Sequence, residues 1–188
     1  MFKQTLGIIG GGQLGCMLAV AASKLKIKTV VFCDDKDAPA QKFTNEFLYG
    51  EYTDQNKIKD FISKVDIITY EFENIPFETL NEINKTKPVL PKPSINRIIQ
   101  HRIAEKDFIN NLNIRTTRYV SIEKKSDIES VSDLLPGLLK TVTLGYDGKG
   151  QYPITKLSNL ENFDIDYSKG YILEKLVKLK KEISIVVT

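Results

Sequence analysis

Three stretches of this chain carry residue types at spacings that could do chemistry. The first is GIIGGGQLGCM, residues 7–17, where Gly10, Gly12 and Gly15 fit G-x-G-x-x-G after an apolar run. Glycines so placed allow a tight strand-to-helix turn whose backbone N–H groups face a ligand. A helix N-terminus attracts anions by ~0.3–1 kcal/mol at exposed sites. Asp34 and Asp35 follow Gly15 by nineteen and twenty residues, the offset of an acid that contacts ribose hydroxyls in dinucleotide sites. A bare structural turn needs the same glycines, so this stretch alone leaves an NAD site and a ligand-free turn both open.

The second stretch is LLKTVTLGYDGKGQ, residues 138–151. Lys140 interrupts an otherwise apolar strand. Gly145, Gly148 and Gly150 make a hairpin, and Lys149 and Gln151 add donors. Such a loop suits closure over nucleotide phosphates, with amides approaching the oxygens and ammonium groups neutralising charge. An ordinary hairpin would explain the glycines but not Lys140. The third stretch is YEFENIP, residues 70–76, with Glu71 and Glu73 where a parallel strand meets its loop, the side on which α/β sheets bind ligands. If the strand continues that far, period two puts both acids on one face, where they could orient an amine or share a proton. Solvated loop acids are the alternative.

The elements that must position these residues alternate along the first ninety positions. Apolar or β-branched runs at 6–10, 28–33, 46–52 and 66–71 read as strands, and 11–25, 54–65 and 76–84 as helices. In the first helix Leu14, Met17, Leu18, Ala21, Ala22 and Leu25 recur at helical spacing. In the second, Ile58, Phe61, Ile62 and Val65 form one stripe. Pro76 sits near the first turn of the third. This order implies a parallel, twisted sheet covered on both faces. Pro88, Pro91 and Pro93 then mark a boundary, so that residues 1–92 and 93–188 are the expected domains. Past it, 94–114 read as a helical region with Ser94 as cap. A strand at 117–122, a polar helix, and strands at 138–144, 152–155, 170–177 and 182–188 follow. Thr188 falls inside the last of these. An unpaired sheet edge there leads to the expectation of a chain incomplete relative to its fold.

Composition bounds the functions available. The 188 residues suffice for one sizeable core or two small domains, with 41% apolar and 27% charged residues. The 27 basic against 24 acidic side chains give a net charge of only +3, and no dense basic block marks a nucleic-acid face. No run reaches membrane-spanning length, and no signal-peptide order is present at the N-terminus. Cys16 and Cys33 are too few and too far apart for a disulfide framework or a metal site, and read as reduced thiols of a cytoplasmic protein. His101, the one histidine, leaves no multi-histidine mechanism and reads as a surface residue on a helix.

With these residues in view, the chain resembles the N-terminal half of ATP-grasp enzymes. Among them it is most similar to the 5-(carboxyamino)imidazole ribonucleotide synthase family of purine biosynthesis. Five segments in order carry the likeness: 7–17, 70–76, 96–114, 138–151 and 171–184. It implies an α/β fold, a parallel-sheet (Rossmann-like) pre-ATP-grasp domain followed by an incomplete ATP-grasp α+β domain. It also implies that the first glycine loop serves substrate and that ATP lies in the second domain. Arg102 and Lys140 would contact the ATP phosphates, and Gly145, Tyr146, Asp147, Gly148, Lys149, Gly150 and Gln151 would form the lid. Glu174, Lys175, Leu176 and Val177 would be the adenine hinge, with Glu182 on the ribose hydroxyls. Gly12, Gln13, Leu14, Glu73 and Tyr146 would meet substrate, and Lys140, Lys149 and Asp147 would act in catalysis.

The implied reaction is ATP-driven carboxylation of aminoimidazole ribonucleotide with bicarbonate, through carboxyphosphate, with ATP and Mg2+ as cofactors. The implied protein is a cytoplasmic homodimer that binds neither nucleic acid nor membrane. Cys16 stands where the family more often has arginine, and Val142 and Thr143 replace basic residues usual after the strand lysine; both departures remove positive charge. The metal ligands are expected in a C-terminal half, none in this chain, which leads to the expectation that the chain alone is inactive. Competing readings are another ATP-grasp ligase such as a formate-using one, an NAD-dependent oxidoreductase, and a non-enzymatic truncated fragment.

Overall fold

A computed structural model describes residues 4–145 and 150–185. It divides into two compact units, residues 1–100 and 101–188. In the first, strands β1 (Thr5–Ile9), β2 (Lys28–Cys33), β3 (Glu46–Tyr49) and β4 (Ile67–Tyr70) form a sheet of order β3-β2-β1-β4. Every pairing is parallel. Helices α1 (Gln13–Lys24), α2 (Gln55–Lys64) and α3 (Phe77–Asn84) connect or follow the strands, so both faces are covered, as the alternation predicts. Period two sorts the strand side chains. Ile9, Val30 and Phe32 join Ile58, Phe61 and Leu80 on one face. Ile8, Val31 and Cys33 pack with Ala19 of α1 on the other. Asp54 caps α2 by accepting from the N–H groups of Asn56 at 2.9 Å and Lys57 at 3.1 Å.

Helix α1 departs from its sequence pattern. Of the expected stripe only Ala22 is buried, with Gly15 and Ala19. Leu14, Met17, Leu18 and Leu25 are exposed, Met17 at 59% and Leu25 at 72%. The reason is close approach: a Cβ on Gly15 would lie 2.5 Å from the Gly10 carbonyl oxygen. Only small residues fit the face that meets the sheet.

The helical region after the prolines is two helices, α4 (Pro93–Ile99) and α5 (Arg102–Asn111). Pro93 takes the first helical position of α4, and the capping place falls to Lys92, not Ser94. The unit division follows α4, which packs on α3. His101 is the cap of α5 rather than a helix residue, its Nδ1 accepting from the Ala104 N–H at 3.3 Å.

In the second unit β5 (Tyr119–Ile122), β6 (Gly137–Thr141), β7 (Gln151–Ile154) and β8 (Tyr171–Lys175) form an antiparallel sheet of order β5-β8-β6-β7. Its core gathers Ile122, Ile128 of α6 (Lys125–Ser130), Leu139, Ile154, Tyr171 and Leu173. Tyr152 packs edge-on against Phe163 with ring centroids 5.2 Å apart. The strand expected at 182–188 is absent from the described residues: 181–185 belong to no helix or strand, and Ile183 is 83% exposed. Residues 186–188, including Thr188, lie outside the described residues.

Candidate functional site

The turn from β1 into α1 is built around Glu71. Gly10 has φ +101°, a conformation that favours glycine, and its N–H donates to the Phe32 carbonyl at 2.9 Å. The strand β4 ends at Tyr70, so Glu71 and Glu73 do not share a strand face. The Glu71 N–H donates to the Ile9 carbonyl at 3.1 Å, which carries the chain across β1 and turns the side chain into the glycine turn. There Glu71 Oε1 accepts from the Gly12 N–H at 2.9 Å. A Cβ on Gly10 would lie 2.8 Å from that oxygen. The helix N-terminus therefore already holds a carboxylate, the charge it favours.

Beside it opens a pocket of about 220 Å³, lined by Gly10–Gly12, Asp34, Asp35, Tyr52, Glu71 and Phe72 among others. The Tyr52 hydroxyl points to Cys33 Sγ at 3.7 Å, and burial pushes its pKa far up, so it stays neutral. Glu73 is exposed in the following turn. Its carbonyl and that of Ile75 each accept from Gln100 Nε2 at 2.6 Å. Asn96, fully buried, donates to the same Ile75 carbonyl at 3.0 Å.

In the second unit the charged residues converge on Glu174. This carboxylate is 8% exposed on β8. Its Oε2 accepts from Lys140 Nζ of β6 at 2.9 Å, and its Oε1 lies 3.3 Å from Lys106 Nζ of α5. Two ammonium groups on one buried carboxylate leave one positive charge in excess. Arg102, one helical turn before Lys106, grips the end of β6. Its Nε donates to the Thr141 carbonyl at 3.1 Å and its NH2 group to the Gly145 carbonyl at 2.8 Å. Gly150, at φ +69°, closes the hairpin's other side, with its carbonyl accepting from the Thr141 N–H at 2.9 Å.

Two family models divide the chain in the same way. The ribonucleotide synthetase preATP-grasp domain matches residues 3–100, and the ATP-grasp domain matches 107–188. The chain belongs to the ribonucleotide synthetase preATP-grasp family. It is 37% identical to the bifunctional purine synthesis protein purC/E of Dictyostelium discoideum, over 97% of this chain and 19% of that protein. It is 34% identical to the N5-carboxyaminoimidazole ribonucleotide synthase of Staphylococcus aureus strain COL, over 100% of this chain and 51% of that one. The crystal structure of the Staphylococcus aureus synthetase complexed with ADP superposes with a TM-score of 0.89 at 33% identity, covering 95% of this chain and 49% of that chain. The chain thus spans about half the length of the synthases it matches.

In this preATP-grasp family member the expected site residues fall as follows. Gly12 is the cap residue of α1, and Gln13 and Leu14 follow on its first turn with exposed side chains. Lys140 and Glu174 are brought into contact; Arg102 and Gly145 are too. Gln151 begins β7 opposite Lys140. Lys175 points elsewhere, its Nζ donating to the Asp133 carbonyl at 2.8 Å, while Leu176, Val177 and Glu182 are exposed beyond the strand. Tyr146, Asp147, Gly148 and Lys149 lie outside the described residues. One residue escaped the sequence-based site, Lys106, four positions after Arg102 and hence on the same helix face. Glu71, expected as one of a pair of acids with Glu73, instead turns alone into the glycine turn because β4 stops at Tyr70.

Proposed function

We propose that this chain serves the ATP-driven carboxylation of 5-aminoimidazole ribonucleotide with bicarbonate, as part of purine biosynthesis. The observation that carries this reading is the Lys106–Glu174–Lys140 cluster, a surplus ammonium in the unit that matches the ATP-grasp domain. It is joined by the 33% identity to a synthetase crystallised with ADP. In the proposed reaction a bicarbonate oxygen attacks the γ-phosphorus of ATP and ADP leaves, giving carboxyphosphate. Carboxyphosphate breaks down to carbon dioxide and inorganic phosphate. The exocyclic amine of the ribonucleotide then attacks the carbon, forming the N–C bond and losing one proton to solvent.

Phosphoryl transfer of this kind needs positioning and charge neutralisation more than a protein nucleophile. Arg102 and Lys140 are assigned to the phosphates of ATP, with Gly145 to Gln151 as the lid. Glu174 to Val177 would read adenine and Glu182 the ribose. Asp147 and Lys149, with Lys140, would act on the reacting groups. Gly12, Gln13, Leu14, Glu73 and Tyr146 would receive the ribonucleotide.

Mg2+ would accompany ATP and offset phosphate charge. Among the described residues no group of three or more His, Cys, Asp or Glu is placed to hold a metal ion, so these residues do not fit a resident ion and no step is assigned to one. We place the protein in the cytoplasm as a homodimer; no described helix is long and apolar enough to cross a membrane.

Calorimetry with Mg-ATP and with NADH on wild type and Lys140→Ala tests the reading. ATP binding weakened by roughly tenfold or more in the variant is expected. NADH binding without ATP binding would sink it and restore a dinucleotide site at Gly10–Gly15. Phosphate release stimulated by formate but not by bicarbonate would instead assign the chain to another ATP-grasp ligase.

A further inference from the structure

Glu174 divides its two oxygens between two lysines, Oε2 to Lys140 at 2.9 Å and Oε1 to Lys106 at 3.3 Å. The lysine side chains are only 18% and 15% exposed, and the carboxylate side chain 10%. Lys106 is further fixed from below, its Nζ standing 5.6 Å from the centroid of the Tyr119 ring. A lone Lys140–Glu174 pair would be closed: a covered carboxylate stripped of its partner is costly, so Lys140 could not turn to another anion cheaply. A second ammonium removes that obstacle, because Glu174 stays compensated when Lys140 moves.

We infer that Lys106 is a positioning residue of the nucleotide site, holding Glu174 so that Lys140 can leave it for a nucleotide phosphate. This rests on the proposed nucleotide-binding role of the second unit. Lys106 touches no substrate in this arrangement; it acts through Glu174. The geometry of α5 supplies the means, since Arg102 and Lys106 lie one turn apart, Arg102 at the exit of β6 and Lys106 over the carboxylate.

The experiment is calorimetry with Mg-ADP on the full chain as wild type, Lys106→Met, Lys106→Arg, Glu174→Gln and the Lys106→Met/Glu174→Gln double variant, each checked for folding by thermal unfolding. Lys106→Met is expected to weaken binding roughly tenfold and Lys106→Arg to restore most of it. With Glu174→Gln already in place, the further loss on Lys106→Met should shrink to about threefold or less, the mark of action through Glu174. An equal loss in both backgrounds, or none in either, overturns the inference.

A nucleotide-free readout runs beside it: the rate at which acetic anhydride modifies Lys140, resolved by peptide mass spectrometry. Held by Glu174 alone, Lys140 should be modified more slowly in Lys106→Met and at the wild-type rate in Lys106→Arg. An unchanged rate in Lys106→Met overturns the inference even if ADP binds. Wild type that binds no ADP removes the nucleotide reading instead, and the modification rates still decide whether Lys106 governs Lys140.

Discussion

The Gly12 N–H donates to Glu71 Oε1 at 2.9 Å, so the start of α1 is closed by a carboxylate from the end of β4. In a dinucleotide site that amide would face a pyrophosphate oxygen. Here the anion is covalently part of the chain, and a second one beside it would be repelled. The glycine spacing is thus explained by what must pass between β1 and α1: Gly10 by its φ of +101° and by Glu71, Gly15 by the Gly10 carbonyl. The adjoining pocket has Asp34, Asp35 and Glu71 on its walls.

The glycines of the motif are therefore unequal in their tolerance of a side chain. A Cβ on Gly15 would lie 2.5 Å from backbone, whereas one on Gly12 meets only the tip of Glu71, at 3.2 Å. Gly15→Ala would gain about 1 kcal/mol of helix propensity, but the helix must move off the sheet to make room. We expect Gly15→Ala to lose a net ~1–3 kcal/mol of stability and Gly12→Ala less than about 1 kcal/mol. Urea unfolding of the two variants measures the order, and equal losses would contradict the close approach.

Helix α1 makes the same point from its other face. Ala19 is fully buried while Met17 is 59% exposed. Ala19→Leu should destabilise by ~1–3 kcal/mol through overpacking, and Met17→Ser should stay within about 0.5 kcal/mol. The opposite order in denaturant midpoints would mean that the large apolar residues of α1 face the core.

What could be read from the sequence follows from which signals are local. Strand and helix alternation is a local pattern, and it led to the parallel sheet and to the stripe of Ile58, Phe61, Ile62 and Val65, all buried but Ile62, which is partly buried. The face of α1 was hidden because helical periodicity marks where large apolar residues lie, whereas sheet contact here selects glycine and alanine. The strand at 182–188 is expected from a local apolar run, and of its described part, 182–185, none is in a strand, because a ladder needs a pairing partner that a local pattern does not supply. Lys140 stood out as a charge in an apolar strand. Its partner Lys106 did not, because a lysine on a short helix looks solvated until the fold brings Glu174, 68 positions later in the chain, against it.

Gln100 ties the turn that carries Glu73 to the end of α4. Its Nε2 donates to the carbonyls of Glu73 and Ile75, both at 2.6 Å. Gln100→Ala removes both bonds and leaves the Asn96 contact to Ile75 in place. The expected cost is about 1–2 kcal/mol, with faster amide exchange confined to residues 73–76 and their neighbours. Exchange unchanged there, or raised evenly through the first unit, would show that the turn is held by something other than Gln100.

Tyr171 should make the stability of the second unit fall at alkaline pH. Its ring is buried in the core with Tyr152 and Tyr167 at centroid distances of 6.1 Å. Burial, with a hydrogen bond to Tyr152, pushes its pKa up to about 12. The unfolded chain would ionise a tyrosine near 10. A folded-state pKa above the unfolded value means that the folded protein keeps a proton the unfolded chain gives up. That contribution is complete below about pH 10 and is lost as the pH rises from there through about 12. The urea midpoint followed by far-UV circular dichroism should therefore fall across this window, and Tyr171→Phe, which has no proton to lose, should flatten the fall. Parallel profiles for wild type and variant would mean that the Tyr171 hydroxyl reaches water in the folded state and ionises there as it does in the unfolded chain.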